Sequence, residues 1–264
     1  MNTALSNLTL LAYFVATLKY ILFLIHRRPL LWKIAVGTAI AGFLCHTATL
    51  IVFGFQANRL PFANFSESLA LFVWVIVLAY LLAEWRYNIP ALGSFVMPLV
   101  LVGMTFASIL PGEGTPLLPV LRDFWFFLHV VFAFIGTAAF TLTFGVGIMY
   151  VIQERQLKSR RPGAFYYRLP SLDVLDDLSY KALAWGFPFL TLGLIAGSIW
   201  AWSAKGAFWN WDPQKTWPLM FAWLIYGFLL LGRIKGGWRG KKAARWAIVG
   251  FVMVSVSYLL HTYS

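Results

Sequence analysis

The sequence predicts an all-α integral membrane protein that crosses the bilayer about eight times and forms a single polytopic domain over residues 1–264. Its residues are 61% hydrophobic and only 11% charged, and the mean hydropathy of +0.76 lies far above that of soluble globular domains. Apolar runs of roughly 20 residues, the length that a helix needs to cross ~30 Å of hydrocarbon, recur along the whole chain. Composition and run length therefore indicate a multi-pass membrane protein.

The apolar runs number eight, and the third and seventh are the shortest. The first has no basic segment before it and no small-residue cleavage pattern after it, so we expect a retained helix rather than a signal peptide. The runs lie at about 4–25, 34–55, 67–83, 91–110, 124–152, 183–203, 217–232 and 246–262.

The basic residues predict the orientation, because Lys and Arg accumulate in short cytoplasmic loops. One set of connections carries sixteen of the twenty-one Lys and Arg, the other set carries four, and Lys19 lies inside the first run. We therefore expect both termini to face outward, together with the loop before the seventh run. The basic set is 26–33, 84–90, 153–182 and 233–245, and the other set is 56–66, 111–123 and 204–216.

Charge and cysteine content exclude two classes of function. The net charge of +12 lies almost entirely in the predicted cytoplasmic loops, and no nucleic-acid motif accompanies it, so nucleic-acid binding is not expected. The only cysteine, Cys45, falls inside the second run. An internal disulfide or Cys-X-X-Cys redox pair is thus impossible, and any thiol chemistry belongs to a partner.

Two segments of the second half have a predicted structural role. In "PSLDVLDDLSY", Pro170 and Ser171 can begin a short helix, and leucines repeat along one side, which suits a helix lying at the inner surface. In the sixth run, Gly193 and Gly197 have the G-x-x-x-G spacing that lets a neighbouring helix approach closely.

Two of the four histidines lie toward the inner side or the middle of the membrane. His26 is next to Arg27 and Arg28, where a positive cytoplasmic flank explains it. His46 is near the middle of the second run, where an ionisable side chain is costly. It is either functional or a neutral imidazole bonded to a neighbouring helix.

The other two histidines come from distant parts of the chain but reach the same outer level. His129 follows the external loop by about six residues, roughly 9 Å of helix, and Trp125 and Phe126 share its helix face. His261 ends the eighth run. The same level holds "GSIWAWSAKGAFWNWDPQKTW", residues 197–217, with five of the thirteen tryptophans.

Two explanations of this coincidence stay open at the level of residues. Haem iron takes imidazole ligands on opposite faces of a flat apolar ring, which needs aromatic surface. Alternatively, the tryptophan side chains form an ordinary aromatic belt at the membrane interface, and Asp212-Pro213 is only a helix start with a capping aspartate. Besides the two histidines, a haem site would use Trp200, Trp202, Trp209, Trp211, Asp212 and Trp217.

Five stretches resemble one known family over residues 40 to 264. "WNWDPQKTW" after "GSIWAW" is similar to the tryptophan-rich WWD motif of haem-handling membrane proteins. "LDVLDDLSYKALAWGFPFLTLGLIAGSIWAW" before it and "GGWRGKKAA" after it resemble the CcsA (ResC) proteins of system II cytochrome c biogenesis. "LPFANFSESLALFVW" is similar to the family's external segment, and "RDFWFFLHVVFAF" to its external-histidine helix.

The resemblance implies a haem-handling subunit of a holocytochrome c synthase, or haem lyase, in a bacterial inner membrane. His129 and His261 would be the axial ligands of haem b, bound as substrate, and the WWD loop at about 199–217 would hold it. A CcsB (ResB) partner, apocytochrome c and a thiol-reducing thioredoxin-like protein are implied as well. Two vinyl groups would be joined to the thiols of Cys-X-X-Cys-His at the periplasmic face.

The chain departs from the family pattern at two places. Lys215 stands where members usually have an acidic residue. The stretch 226–234 lacks the histidine that members often carry, so His46 is the remaining candidate for an altered inner site. Two other functions are alternatives: a haem channel or exporter without attachment activity, and a membrane regulator of haem synthesis.

Overall fold

Eight α-helices make up most of the part of the chain that the structure, a computed structural model, describes: residues 3–110, 122–159, 163–206 and 213–262. At 3, 164, 205, 213–218 and 257–262 only the backbone is described. No strand occurs in these ranges, and a short 3₁₀ helix covers Ala164–Tyr167. The helices are α1 (Thr3–His26), α2 (Pro29–Ala57), α3 (Phe65–Tyr87), α4 (Pro90–Ile109), α5 (Phe124–Lys158), α6 (Leu172–Lys205), α7 (Pro213–Lys235) and α8 (Gly240–Thr262).

Helices α1 to α6 are each long and apolar enough to cross a membrane. The described side chains of α7 and α8 cover only 219–235 and 240–256, which is shorter than a full span. The predicted all-α, multi-pass architecture is thus confirmed. The outward orientation of both termini stays a prediction.

Helices α5, α6 and α7 begin at residues that suit a helix N-terminus. Asp123 caps α5 by accepting from the backbone N–H of Trp125 at 2.7 Å, and Ser171 caps α6. α7 begins with Pro213 at its first position, where a missing N–H costs nothing. The cap at Asp123 fixes where α5 starts and so places His129 in its second turn.

The predicted short surface helix at "PSLDVLDDLSY" is wrong. Ser171 does cap a helix there, but that helix is α6, which continues without a break to Lys205. No glycine or proline occurs between its start and Gly186, so nothing in this stretch ends it. The leucine stripe is also buried in protein, because Leu175 is 0% and Leu178 is 3% exposed.

The described chain forms two compact units, and the first, Met1–Leu118, contains α1 to α4. Polar side chains link its helices from inside. Thr17 of α1 donates to the carbonyl of Met97 in α4 at 3.1 Å, and Glu84 of α3 accepts from Trp32 of α2 at 2.7 Å. Such bonds satisfy polar groups that lipid cannot.

The second unit, Pro119–Ser264, contains α5 to α8. α5 packs against α6 and α8, and α7 packs against α8. At its centre Phe140 of α5 stacks on Tyr226 of α7, with ring centroids 3.6 Å apart. This unit holds the external-histidine helix and both helices that flank the tryptophan loop; the single domain over 1–264 stays a prediction.

Candidate functional site

The antiparallel packing of α5 and α6 builds the candidate site. Along the interface, α5 and α6 pair in one constant register: Phe140 lies at Gly186, Ala133 at Gly193, and His129 at Gly197. Because both glycines of the G-x-x-x-G pair face α5, the helices approach closely there. The predicted packing role of this pair is confirmed, and His129 lies on the interface.

The imidazole of His129 is fixed by the backbone of α6. Its Nδ1 lies 2.7 Å from the carbonyl oxygen of Gly193. A carbonyl only accepts hydrogen bonds, so Nδ1 carries the proton and a neutral ring has its lone pair on Nε2. This is the arrangement in which a histidine ligates a metal through Nε2 while its other nitrogen is held by a second group.

Aromatic and polar contacts continue from His129 toward the outer end of α6. Phe126 lies between His129 and Trp200, with ring centroids 6.5 Å from the former and 4.9 Å from the latter. Beyond it, the hydroxyl of Ser203 is 3.5 Å from the carboxylate of Asp123. The structure thus brings His129 and Trp200 together through Phe126.

The end of α8 lies at the same end of the second unit. Phe251 of α8 stacks on Phe144 of α5 at 4.4 Å, and Ile248 lies next to Gly147, so α5 and α8 are antiparallel. At 1.5 Å per residue, this register places position 261 opposite position 134, roughly 7 Å along the axis from position 129. The side chain of His261 is outside the described residues.

The tryptophan platform, which we define as Trp200, Trp202, Trp209, Trp211 and Trp217 with Asp212, lies mostly outside the described residues. Trp209, Trp211 and Asp212 are outside entirely, and only the backbone of Trp217 is described. Trp202, on the last turn of α6, is 50% exposed. Gly206 ends α6 in the left-handed conformation, φ 70°, which glycine adopts without strain. The platform residues therefore stay predictions, apart from the contact that places Trp200 beside Phe126.

His46 belongs to the first unit and is completely buried. Its Nδ1 lies 3.2 Å from the hydroxyl of Tyr13 in α1, as the alternative of an imidazole bonded to a neighbouring helix predicts. Its Nε2 has no hydrogen-bond partner among the described residues. A haem contact for His46 stays a prediction.

The stretch 226–234, which lacks the family's inner histidine, is used for packing. Tyr226 is fully buried and donates to the carbonyl of Ala247 at 3.3 Å. Arg233 donates to the carboxylate of Asp176 at 2.9 Å, and the same carboxylate accepts from the N–H of Gly240 at 3.0 Å. Asp176 therefore joins α6, α7 and the start of α8 at the end of the unit opposite His129.

Glu67, in the first turn of α3, has a structural role. It forms a two-pronged salt bridge with Arg59, at 2.5 and 2.8 Å, and is 1% exposed. This paired carboxylate raises the pKa of the Arg59 guanidinium above its usual value. It also accepts from the backbone of Ala63 at 3.0 Å, which fixes the loop before α3.

Sequence reasoning missed the contact between His129 and the two glycines. The spacing of Gly193 and Gly197 was visible, but a spacing does not identify the helix that packs on it. The link between Asp123 and Ser203 was missed for the same reason. Only the register of α5 against α6 connects these residues.

The chain is a multi-pass helical membrane protein of the cytochrome c assembly class, since residues 62–264 match the family described as cytochrome C assembly protein. Several relatives are CcsA cytochrome c biogenesis proteins. That of Guillardia theta is 29% identical over 96% of this chain and 91% of its own length. That of Synechococcus sp. (strain CC9902) is 33% identical over 84% and 80%. The chain belongs to this family and has a role in cytochrome c maturation.

A solved structure shares the fold. The chain of the cytochrome c haem lyase CcmF superposes with a TM-score of 0.69 over 98% of this chain, at 14% identity. This chain spans about half, 49%, of the CcmF chain. At that identity the likeness shows the helical arrangement alone.

Proposed function

We propose that this chain is the haem-handling subunit of a cytochrome c synthase at the outer face of a bacterial inner membrane. It binds haem b as substrate and presents it to the Cys-X-X-Cys-His segment of apocytochrome c. One observation carries the proposal: the Nδ1 of His129 bonds to the Gly193 carbonyl, which puts the lone pair of a neutral ring on Nε2, the nitrogen that would ligate iron. Membership of the cytochrome c assembly family supports it.

In this proposal His129 and His261 are the two axial ligands. They come from α5 and α8, and the antiparallel packing of these helices supports their placement at one level. The aromatic surface comes from Trp200, Trp202, Trp209, Trp211 and Trp217, with Asp212 in the loop, and His46 is assigned to an inner haem contact. Phe126 supports the platform because its ring packs on Trp200.

The covalent step is the addition of a thiol to a vinyl group. A carbon–sulfur bond forms, the vinyl π bond is used, and the thiol proton goes to the other vinyl carbon. The addition is balanced without an oxidant or reductant, so the chain's own contribution is to hold the two reactants in a productive geometry.

Partners supply what the chain lacks. Its only cysteine, Cys45, lies within α2, and the thiols of apocytochrome c must be reduced before the addition. We therefore assign their reduction to a thioredoxin-like protein, and haem transfer to a complex with a CcsB-like membrane protein.

Absorption spectra of the protein purified with its CcsB-like partner test the ligands. The unaltered complex is expected to show a low-spin haem spectrum, which His129→Ala and His261→Ala each weaken and the double variant abolishes. His26→Ala is the matched control, because this exposed histidine lies at the end of α1.

Full haem occupancy in the double alanine variant would overturn the axial-ligand assignment. A second arm separates attachment from transport: the complex in vesicles that contain apocytochrome c. Haem that crosses at the normal rate without becoming covalently attached would identify an exporter instead.

A further inference from the structure

We propose that Gly193 and Gly197 are positioning residues for His129. The carbonyl of Gly193 and the absence of a side chain at Gly197 together hold the imidazole in the one tautomer and orientation that present Nε2 to iron. The inference deepens the proposed function and rests on it, because iron ligation by His129 is itself proposed there.

The carbonyl of Gly193 sets the tautomer. It lies within α6, where the helical pattern already gives it the N–H of residue 197 as a donor. A carbonyl oxygen has two lone pairs, so it accepts from Nδ1 of His129 as well, at 2.7 Å. A ring flipped by 180° or an Nε2–H tautomer loses this bond.

The missing side chain of Gly197 makes room for the ring. A Cβ atom built there would lie 2.5 Å from Nδ1 and 2.9 Å from Cε1 of His129. Such distances are far inside van der Waals contact. Since these atoms belong to a side chain, alanine at this position displaces the imidazole and leaves the two backbones where they are.

Gly193 has a different steric role from Gly197. A Cβ atom on Gly193 would lie 2.9 Å from the backbone nitrogen and 3.2 Å from the Cα of Ala133. Alanine there would push α5 away from α6 as a whole. The G-x-x-x-G pair thus combines a close helix contact at Gly193 with space for the imidazole ring at Gly197. A substitution at Gly197 therefore tests the positioning of the ring without changing the helix contact.

The hydrogen bond from Nδ1 of His129 to the Gly193 carbonyl has a chemical consequence for a bound iron. A histidine whose Nδ1–H donates to a carbonyl is a more basic ligand, and such outer partners alter metal affinity by roughly 10- to 100-fold when they are removed. A more basic ligand favours ferric over ferrous iron. Loss of the bond is therefore expected to weaken haem binding and to raise the reduction potential.

The first experiment needs no haem. The full-length protein, labelled with ¹⁵N-histidine, is compared by NMR with Gly197→Ala, and the His129 signals are assigned by their absence from His129→Ala. We expect a single Nδ1-protonated tautomer in the unaltered protein and a mixture of tautomers in Gly197→Ala. Ser198→Ala is the matched control, because the Ser198 hydroxyl bonds to the carbonyl of Leu194 in its own helix.

The second experiment uses the haem-loaded complex with its partner. Gly197→Ala is expected to lower haem affinity by about tenfold or more and to raise the reduction potential, with Ser198→Ala unchanged in both. A thermal unfolding midpoint close to that of the unaltered protein will show that the fold is intact. A merely structural role for Gly197 would change that midpoint and leave the tautomer alone.

The outcomes separate this inference from the proposed function. An Nε2-protonated His129, or equal tautomer populations in Gly197→Ala and the unaltered protein, overturns the positioning role of the two glycines, while His129→Ala can still weaken the haem spectrum. Conversely, the expected NMR change together with full haem binding in His129→Ala overturns the role in iron ligation and leaves the geometry of the ring correct.

Discussion

Two neighbouring aspartates of α6 illustrate how differently single charges contribute to the stability of this protein. Asp176 pairs with Arg233, whose side chain is only 4% exposed, at 2.9 Å. Asp177 pairs with Lys181 on the same helix at 2.7 Å, and both of these side chains are about half exposed. A buried charge that loses its partner is costly, whereas an exposed pair on one helix contributes little.

We therefore expect Asp176→Ala to lower the free energy of unfolding by about 3 kcal/mol and Asp177→Ala by less than about 1 kcal/mol. The difference has a second cause, because Asp176 also accepts from the N–H that begins α8. Thermal unfolding midpoints of the detergent-solubilised variants measure both effects. Equal losses in the two variants would contradict the assigned role of Asp176 in joining three helices.

Residue types in the sequence predicted some of the important side chains, but only the contacts in the structure showed their partners. His129 was identified from its depth and its aromatic neighbours, which depend only on helical spacing. Its partner Gly193 lies 64 positions away, and no periodicity reports such a pairing. Arg233 and Asp176 are a similar case: the charges were visible, but their pairing needs the ends of α6 and α7 to meet.

At the scale of the element, the interface of α5 and α6 depends on glycines that touch backbone. A Cβ atom on Gly136 would lie 2.7 Å from the backbone nitrogen of Leu190 and 3.0 Å from the carbonyl oxygen of Gly186. Backbone atoms of packed helices cannot move singly. Any side chain at this position must separate the two helices.

Gly136→Ala is therefore expected to destabilise the protein by about 1–3 kcal/mol, the usual cost of overpacking. Gly37→Ala is the control within α2, because a Cβ there meets nothing within 4 Å and alanine favours a helix by up to about 1 kcal/mol. Unfolding midpoints should move in opposite directions. A midpoint of Gly136→Ala at or above that of the unaltered protein would refute the close packing of α5 on α6.

The elements themselves were largely predictable, since lipid permits few alternatives to a helix over an apolar run. The predicted run at 124–152 matches the apolar part of α5 (Phe124–Lys158). The error at "PSLDVLDDLSY" came from its local pattern: a possible cap followed by leucines along one side indicated a separate surface helix. Inside α6, Asp176 pairs with Arg233 and Asp177 with Lys181, and no glycine or proline ends the helix before Gly186.

At the scale of the whole molecule, the sequence predicts which face of the membrane carries the tryptophan loop. Four of the twenty-one Lys and Arg lie in the connections assigned to the outside and sixteen in those assigned to the inside. An asymmetry of this size is the usual determinant of orientation. The haem-handling proposal depends on it, because attachment to apocytochrome c is assigned to the outer face.

Two exposed serines, predicted to lie on opposite sides of the membrane, test this orientation. Ser108 lies near the end of α4, in the first unit, and Ser159 caps the end of α5, in the second. In a Cys45→Ala background, Ser108→Cys should react with a membrane-impermeant maleimide in intact cells. Ser159→Cys should react only after the membrane is permeabilised, because it follows the basic inner end of α5. Labelling of Ser159→Cys from outside would place the tryptophan loop on the cytoplasmic side, and the proposed presentation of haem to external apocytochrome c would then fail.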